Sequence, residues 1–338
     1  MINTNSHGSS DGTVRPSLAQ HSSFVVDDVP WCVWDWRLGE LNAEFIEGLD
    51  PSYFDYIAEA HGRALDAEGS DQHAAVGLRT SYHHAMEAFF ALLGATIQAP
   101  DCVIGWFHKY TNQQLESLVF KIDHGQPVKT KLRLKHLSWQ GLADAVFSLT
   151  SLPDKAKEQR IRTDFGQLWG RLADDFLSAK STAEYNSFKH GMRLRAGGFH
   201  LLAGQEAVPG EPCPSEQMQH LGGSSYGSSF YGVERIDGMD KSNVRMVHHA
   251  RNWSPDEFIA RLQLLSISMR NVLSFLKVIL GASPQSQQFV WPADPELFAR
   301  CFQFDVGVNE SSFNLILTKD NIVPQSKDQI VAAYEPSS

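Results

Sequence analysis

The chain has 338 residues, with 39 acidic and 29 basic side chains and a formal net charge of −10. That balance excludes a protein that holds nucleic acid or anionic membrane through its overall field, and leaves room only for a local basic patch. Hydrophobic residues at 42 % and aromatics at 11 % supply a sizeable core for one large domain or two ordinary ones.

The four cysteines, Cys32, Cys102, Cys213 and Cys301, are scattered without a CxxC pair, which argues against a cysteine zinc site. The first residues show neither a basic n-region nor an apolar h-region, and no run of 18 apolar residues occurs. The expectation is a cytoplasmic protein with free thiols and no membrane partner.

Residues 1–23, rich in Ser, Asn, Gly and Asp, read as a disordered lead. The segment 24–36 carries Trp31, Trp34 and Trp36; it reads as an arm packed on the domain surface, or as an aromatic ligand platform. Helical spacing of Tyr53, Ile57, Ala60 and Leu65 predicts a helix over 50–66. A stronger apolar stripe, Leu78, Tyr82, Met86, Phe89, Phe90, Leu93 and Ile97, predicts one over 78–98, ended by Pro100. Residues 111–122 and 138–150 repeat the pattern. Between them, 129–136 alternates basic and apolar residues as a strand or extended linker, with a solvated face or a phosphate-tracking one as its role.

A long amphipathic helix over 154–180 follows, with Ile161, Phe165, Leu168, Leu172 and Phe176 inward. A further helix at 183–190 runs into Gly191. Residues 204–229 read as a long loop. Phe230–Ile236 and Asn243–His249 read as two strands of a hairpin. The clearest helix is 254–281, where Ser254 is the expected cap, Pro255 takes the first position and Glu257 completes a capping box. Residues 290–338 hold short apolar runs such as Phe313-Asn-Leu-Ile-Leu, which read as a strand or packed extension followed by a frayed end. The fold class expected is mainly α: a helical bundle over 24–285, with a small β-hairpin insertion at about 192–250 and a C-terminal extension over 286–338.

The polar residues concentrate in Ala183–Arg195, which holds Asn186, Lys189, His190, Arg193 and Arg195. In a helix, Asn186 and His190 share a face. Gly191 suits a left-handed helix cap. Lys189 and His190 meet the negative end of the helix dipole, so a purely stabilising role is an alternative. His83 and Glu87, four apart, can form an ion pair or a hydrogen bond; the alternative is that His83 and His84 are plain surface-to-boundary histidines. His248 and His249 point to opposite faces of a strand and cannot easily bind one metal together. No metal site and no cofactor are expected.

The run Tyr185-Asn-Ser-Phe-Lys-His-Gly191 resembles the late-helix motif of HEPN domains, where an arginine, a polar residue, three variable positions, a histidine and commonly a glycine follow one another. Asn186, His190 and Gly191 fall on matching positions. The segment Tyr82–Leu93 is similar to the first helix of such domains, in which a glutamate, here Glu87, can face the motif. The resemblance implies a bundle of four or five helices that often dimerises. Its active members cleave RNA without metal, using the arginine and the histidine. Here Tyr185 stands at the arginine position, and a neutral phenol supplies no permanent cation for a developing phosphorane.

The expected function is therefore a HEPN-like binding or interaction protein without catalysis, in a stress or defence setting, with RNA or a nucleotide as ligand and a homodimer as assembly. Lys189, Arg193, Arg195, Tyr185 and His83 are the ligand-binding candidates. One alternative is a metal-independent endoribonuclease in which His190, Asn186 and Glu87 form the catalytic set and Lys189, Arg193 or Arg195 sits on phosphate. Another is a structural scaffold whose polar residues are caps.

Overall fold

A computed structural model describes residues 18–67, 69–132, 134, 137–150, 152–190, 193–303, 306–313, 317 and 319–334. About 53 % of the chain is helical and 16 % strand, so helices set the architecture. In order come β1 (Gln20–Val26), β2 (Val29–Asp35), α1 (Leu38–Glu47), α2 (Ser52–Leu65), α3 (Asp71–Gln98), α4 (Val103–Lys109), α5 (Asn112–Asp123), α6 (Trp139–Phe147), α7 (Lys155–Leu177) and α8 (Ala179–Lys189). Then follow β3 (Leu194–Ala196), β4 (His200–Ala203), β5 (Gln219–Gly223), β6 (Gly227–Arg235), β7 (Val244–Asn252), α9 (Pro255–Ile279), α10 (Leu297–Arg300), β8 (Glu310–Phe313) and α11 (Lys327–Ala332).

The centre is α3. From Phe89 to Gln98 every residue is buried, the signature of a helix enclosed on all sides rather than of one with a wet face. It packs on α2, α5, α7 and α9. Helix α9 is apolar and long enough to suit a membrane span, yet most of its apolar residues are buried, and it packs against α2, α3 and α6. Trp169 of α7 donates to Ser268 of α9 at 3.0 Å, so even the polar edge of that buried indole is satisfied.

Gly94 marks a tight contact of α3 with buried side chains. A Cβ there would lie 2.8 Å from Trp106 and 2.9 Å from Leu118, both buried. Helix propensity favours alanine by about 1 kcal/mol, but overpacking against an immobile indole costs about 1–3 kcal/mol. Gly94→Ala is therefore expected to lower the urea midpoint; an increase would show that Trp106 can yield.

Gln98 ties the hairpin β1–β2 to this core. Its Nε2 donates to the carbonyls of Asp27 and Lys129, and its Oε1 accepts from Asp27 N and Trp106 Nε1. Phe24 and Val26 face inward, whereas Trp34 and Trp36 stay exposed. Strand β1 begins at Gln20, inside the segment expected to be a disordered lead, because Ser22 bonds Asp101 at 2.6 Å and β2 completes its ladder.

Other expectations change as well. Of the two readings of 129–136, the strand does not occur among the described residues, which leaves the linker; Lys131 pairs with Asp101, and Arg133, Lys135 and His136 lie outside the described residues. The expected loop at 204–229 contains β5 and the start of β6. The β portion exceeds one hairpin: β3, β6, β7 and β8 form a four-stranded antiparallel sheet, and β4 pairs β5 separately. Strand β8 comes from the C-terminal extension, which is thereby stitched to the insertion. Ser254 makes no side-chain cap bond, and Glu257 pairs with Arg261 one turn on instead of closing a capping box.

Candidate functional site

Helix α8 lies between α3 and the sheet. Its buried residues are Ser181, Glu184 and Ser187, a polar stripe at three-residue spacing where a helix usually carries apolar ones. Such a face is stable only if every group finds a partner.

Glu184 finds five donors. Its Oε2 accepts from Arg79 Nη2 at 2.7 Å and Nε at 3.2 Å, and from Arg251 Nη1 at 2.8 Å. Its Oε1 accepts from Ser228 Oγ at 2.6 Å and Trp253 Nε1 at 3.2 Å. Burial alone would raise its pKa, but Arg79 and then Arg251 outweigh it and hold the carboxyl down to about 2. The Arg79 guanidinium also lies 4.7 Å over the Phe258 ring. One carboxylate thus joins α3, α8, β6 and β7.

A second centre adjoins it. Asp175 Oδ2 accepts from Tyr82 Oη at 2.7 Å and Arg261 Nη1 at 2.6 Å, and Arg261 Nε donates to the carbonyl of Cys301. Between the two centres lies a cavity of about 260 Å³, lined in part by Arg79, Arg251, Arg261, Asp175, Glu257 and Glu310. Its arginines already face Glu184, Asp175 and Glu257, so the charges balance and the cluster cross-links the helices to the sheet.

The expected site residues divide into two groups. Glu87 Oε2 accepts from Tyr185 Oη at 3.1 Å, and its Oε1 lies 3.5 Å from Tyr110 Oη. Burial, and then the charge of Glu87, push the Tyr185 phenol well up, so it remains a neutral donor. His83 stacks on Tyr185 with ring centroids 5.0 Å apart. It is buried, its Nε2 has no hydrogen-bond partner, and burial drives its pKa down to about 3. The expected His83–Glu87 pair does not form: the phenols occupy Glu87, and the imidazole is turned into the α3–α8 contact. His83, Glu87, Tyr185 and Asn186 share the wall of a cavity of about 40 Å³, a space on the order of a water or two.

The second group is solvent-facing. Asn186, Lys189, His190, Arg193 and Arg195 are exposed. His190 ends α8 in solvent and does not line the cavity, so the expected set of His190, Asn186 and Glu87 is not brought together: Glu87 is turned to Tyr185 and Tyr110. Among the described residues, neither Asn186 nor His190 makes a side-chain hydrogen bond, and Lys189, Arg193 and Arg195 have no carboxylate partner. Lys189 Nζ lies 5.8 Å from the Tyr185 ring, and His84 meets the same ring edge-on at 5.5 Å. Arg195 sits on β3 opposite Ser229. Gly191, the expected helix cap, lies outside the described residues.

The histidines of β7 serve the sheet: His249 stacks on Phe230 and His248 lies beside Tyr231. Among the described residues no group of three His, Cys, Asp or Glu side chains can hold a metal ion. Glu184 and Arg251 escaped the reading of the sequence. The signal was the spacing of Ser181, Glu184 and Ser187, which shares one face of α8. No protein-family model, curated protein or solved structure matches this chain.

Proposed function

We propose that this is a HEPN-like protein that binds RNA at the end of α8 and the start of β3 without cleaving it. The observation that carries this reading is the unpaired charge of Lys189, Arg193 and Arg195 in a chain of net charge −10. Elsewhere Arg79, Arg245, Arg251, Arg261, Arg270 and Lys121 hold carboxylates, and Lys109, Lys157 and Arg171 lie singly over aromatic rings. Exposed cations without carboxylate partners, of which Lys189 lies beside the Tyr185 ring, suit phosphate with a stacking surface next to it.

The contact of Glu87 with Tyr185 supports the HEPN-like reading, since a first-helix glutamate faces the motif there. Two features favour binding over cleavage. His190 has no partner among the described residues to set its tautomer, which a general acid or base needs. The motif's arginine position holds a phenol kept neutral beside Glu87.

The test is fluorescence anisotropy with a labelled single-stranded oligoribonucleotide. Lys189→Glu/Arg193→Glu/Arg195→Glu is expected to weaken binding by at least about tenfold, with an unchanged melting temperature because all three side chains are exposed. The oligonucleotide is expected to stay full length with wild type and with His190→Ala. RNA cleavage by wild type that disappears in His190→Ala would replace this reading with the endoribonuclease.

A further inference from the structure

A groove of about 480 Å³ lies far along the chain from the α8 cations, between the first turns of α7 and the segment 291–298. Its volume is that of a small-molecule site, which typically spans about 300–1,000 Å³. The apolar wall is made by Trp291, Phe298, Ile161 and Pro292. This wall is held rigidly. Asn271 of α9 exchanges two hydrogen bonds with the backbone of Val290, at 2.7 and 2.8 Å, and Ser274 donates to the carbonyl of Gln288 at 2.6 Å. Phe298 packs edge-on against Phe165 of α7 at 5.0 Å. A preformed apolar wall needs no ordering when a ligand arrives.

The polar groups around it are unequal. Asp154 is occupied as the cap of α7, accepting from Lys157 N at 3.0 Å. Asp164 faces Arg160 at 3.6 Å, and Arg160 also reaches Glu296 at 3.5 Å. Lys157 is different. Its ammonium lies 5.8 Å from the Trp291 ring and has no carboxylate partner among the described residues. Arg160 is shared between two carboxylates, so Lys157 is the lining cation that no described carboxylate holds, and it sits over the aromatic wall.

We infer that this groove binds a small planar aromatic acid, whose ring lies on Trp291 and Phe298 and whose anionic group meets Lys157. A cationic ligand would meet the ammonium, and a purely apolar one would leave it unpaired. The inference is independent of RNA binding, because none of the residues involved belongs to α8 or β3.

Two fluorescent probes test it on the full chain: 8-anilinonaphthalene-1-sulfonate, an aromatic anion, and the neutral N-phenyl-1-naphthylamine. Wild type is expected to bind the anion more tightly. Trp291→Ala is expected to weaken both probes by at least about tenfold, since it removes the stacking surface. Lys157→Gln is expected to weaken only the anion, by about threefold. Ala156→Glu, at an exposed position of the groove wall, acts in the same direction without touching the packed wall, so it still decides the matter if Trp291→Ala fails to fold. Unchanged anion affinity in both Lys157→Gln and Ala156→Glu, or unchanged affinity for both probes in a folded Trp291→Ala, would overturn the inference.

Discussion

Glu184→Ala is expected to cost about 3–5 kcal/mol of stability, the largest effect of any single polar substitution proposed for this protein. The carboxylate is fully buried, and its loss strands Arg79, whose side chain is only 4 % exposed. Arg251 is 20 % exposed and can turn toward water, so the penalty falls mainly on Arg79. Ser228 and Trp253 lose their acceptor at the same time. Four elements meet at this residue, so the sheet should loosen from the helices before the helical core melts. Guanidinium unfolding followed separately by far-UV and near-UV circular dichroism reads both effects. A loss below about 1 kcal/mol would mean that the cluster relaxes into solvent and does not hold the sheet.

Acidification from pH 7 to pH 5 is expected to remove about 2 kcal/mol through His83. Burial lowers the folded pKa of His83 from 6.5 to about 3, so below pH 6.5 the unfolded chain takes a proton that the folded chain refuses. The stability held by the neutral ring is complete above 6.5. It is lost progressively as the pH falls toward 3. Glu184 acts in a lower window: its folded pKa is depressed from 4.5 to about 2, so its contribution is complete above 4.5 and disappears as the pH falls through 2. The two can be separated. His83→Phe keeps a ring against Tyr185 and removes an imidazole nitrogen that has no partner, so it should flatten the slope between pH 7 and pH 5 with little cost at neutral pH. Chemical denaturation of both proteins across that range checks this. An equal slope in wild type and His83→Phe would assign the acid sensitivity to another group.

These two residues also mark where the sequence was opaque. The helices α2, α3, α5, α6, α7 and α9 were legible because each carries an apolar stripe at helical spacing, and β6 and β7 were legible as apolar runs flanking a turn. The interior of α8 is polar, and polarity in a sequence signals solvent unless its partners are known. Those partners lie far away along the chain: Arg79 is 105 residues from Glu184, and Arg251 is 67. No local pattern announces such a convergence. The apolar run at Phe313 pointed to a strand or packed extension there, but not to the pairing of β8 with the edge of β7. The Ser254–Glu257 box failed for a tertiary reason, since Arg261 claims Glu257. At the α8 terminus Lys189, Arg193 and Arg195 are exposed, which residue types alone left open between caps and ligand contacts. Helical spacing gave a wrong partner for His83, because a pair four apart on one helix was weighed without the phenols that approach from α8 and from Tyr110.

The stabilising cluster and the exposed cations divide the stretch 183–195 between two tasks. Glu184 faces inward and fastens α8 to the sheet. Lys189, Arg193 and Arg195 face outward from the support thus fixed. Binding without catalysis is consistent with this division, because the buried carboxylate is fully engaged by arginines and the exposed histidine is left without one.

The most direct measurement is the salt dependence of oligoribonucleotide binding by wild type and by Lys189→Gln/Arg193→Gln/Arg195→Gln. Each phosphate neutralised on a single strand contributes about 0.7 to the slope of log K against log salt. Three lost contacts should therefore make the variant's slope shallower by about 2. Equal slopes, or a wild type that binds no RNA at low salt, would contradict the proposal that these cations form the binding surface.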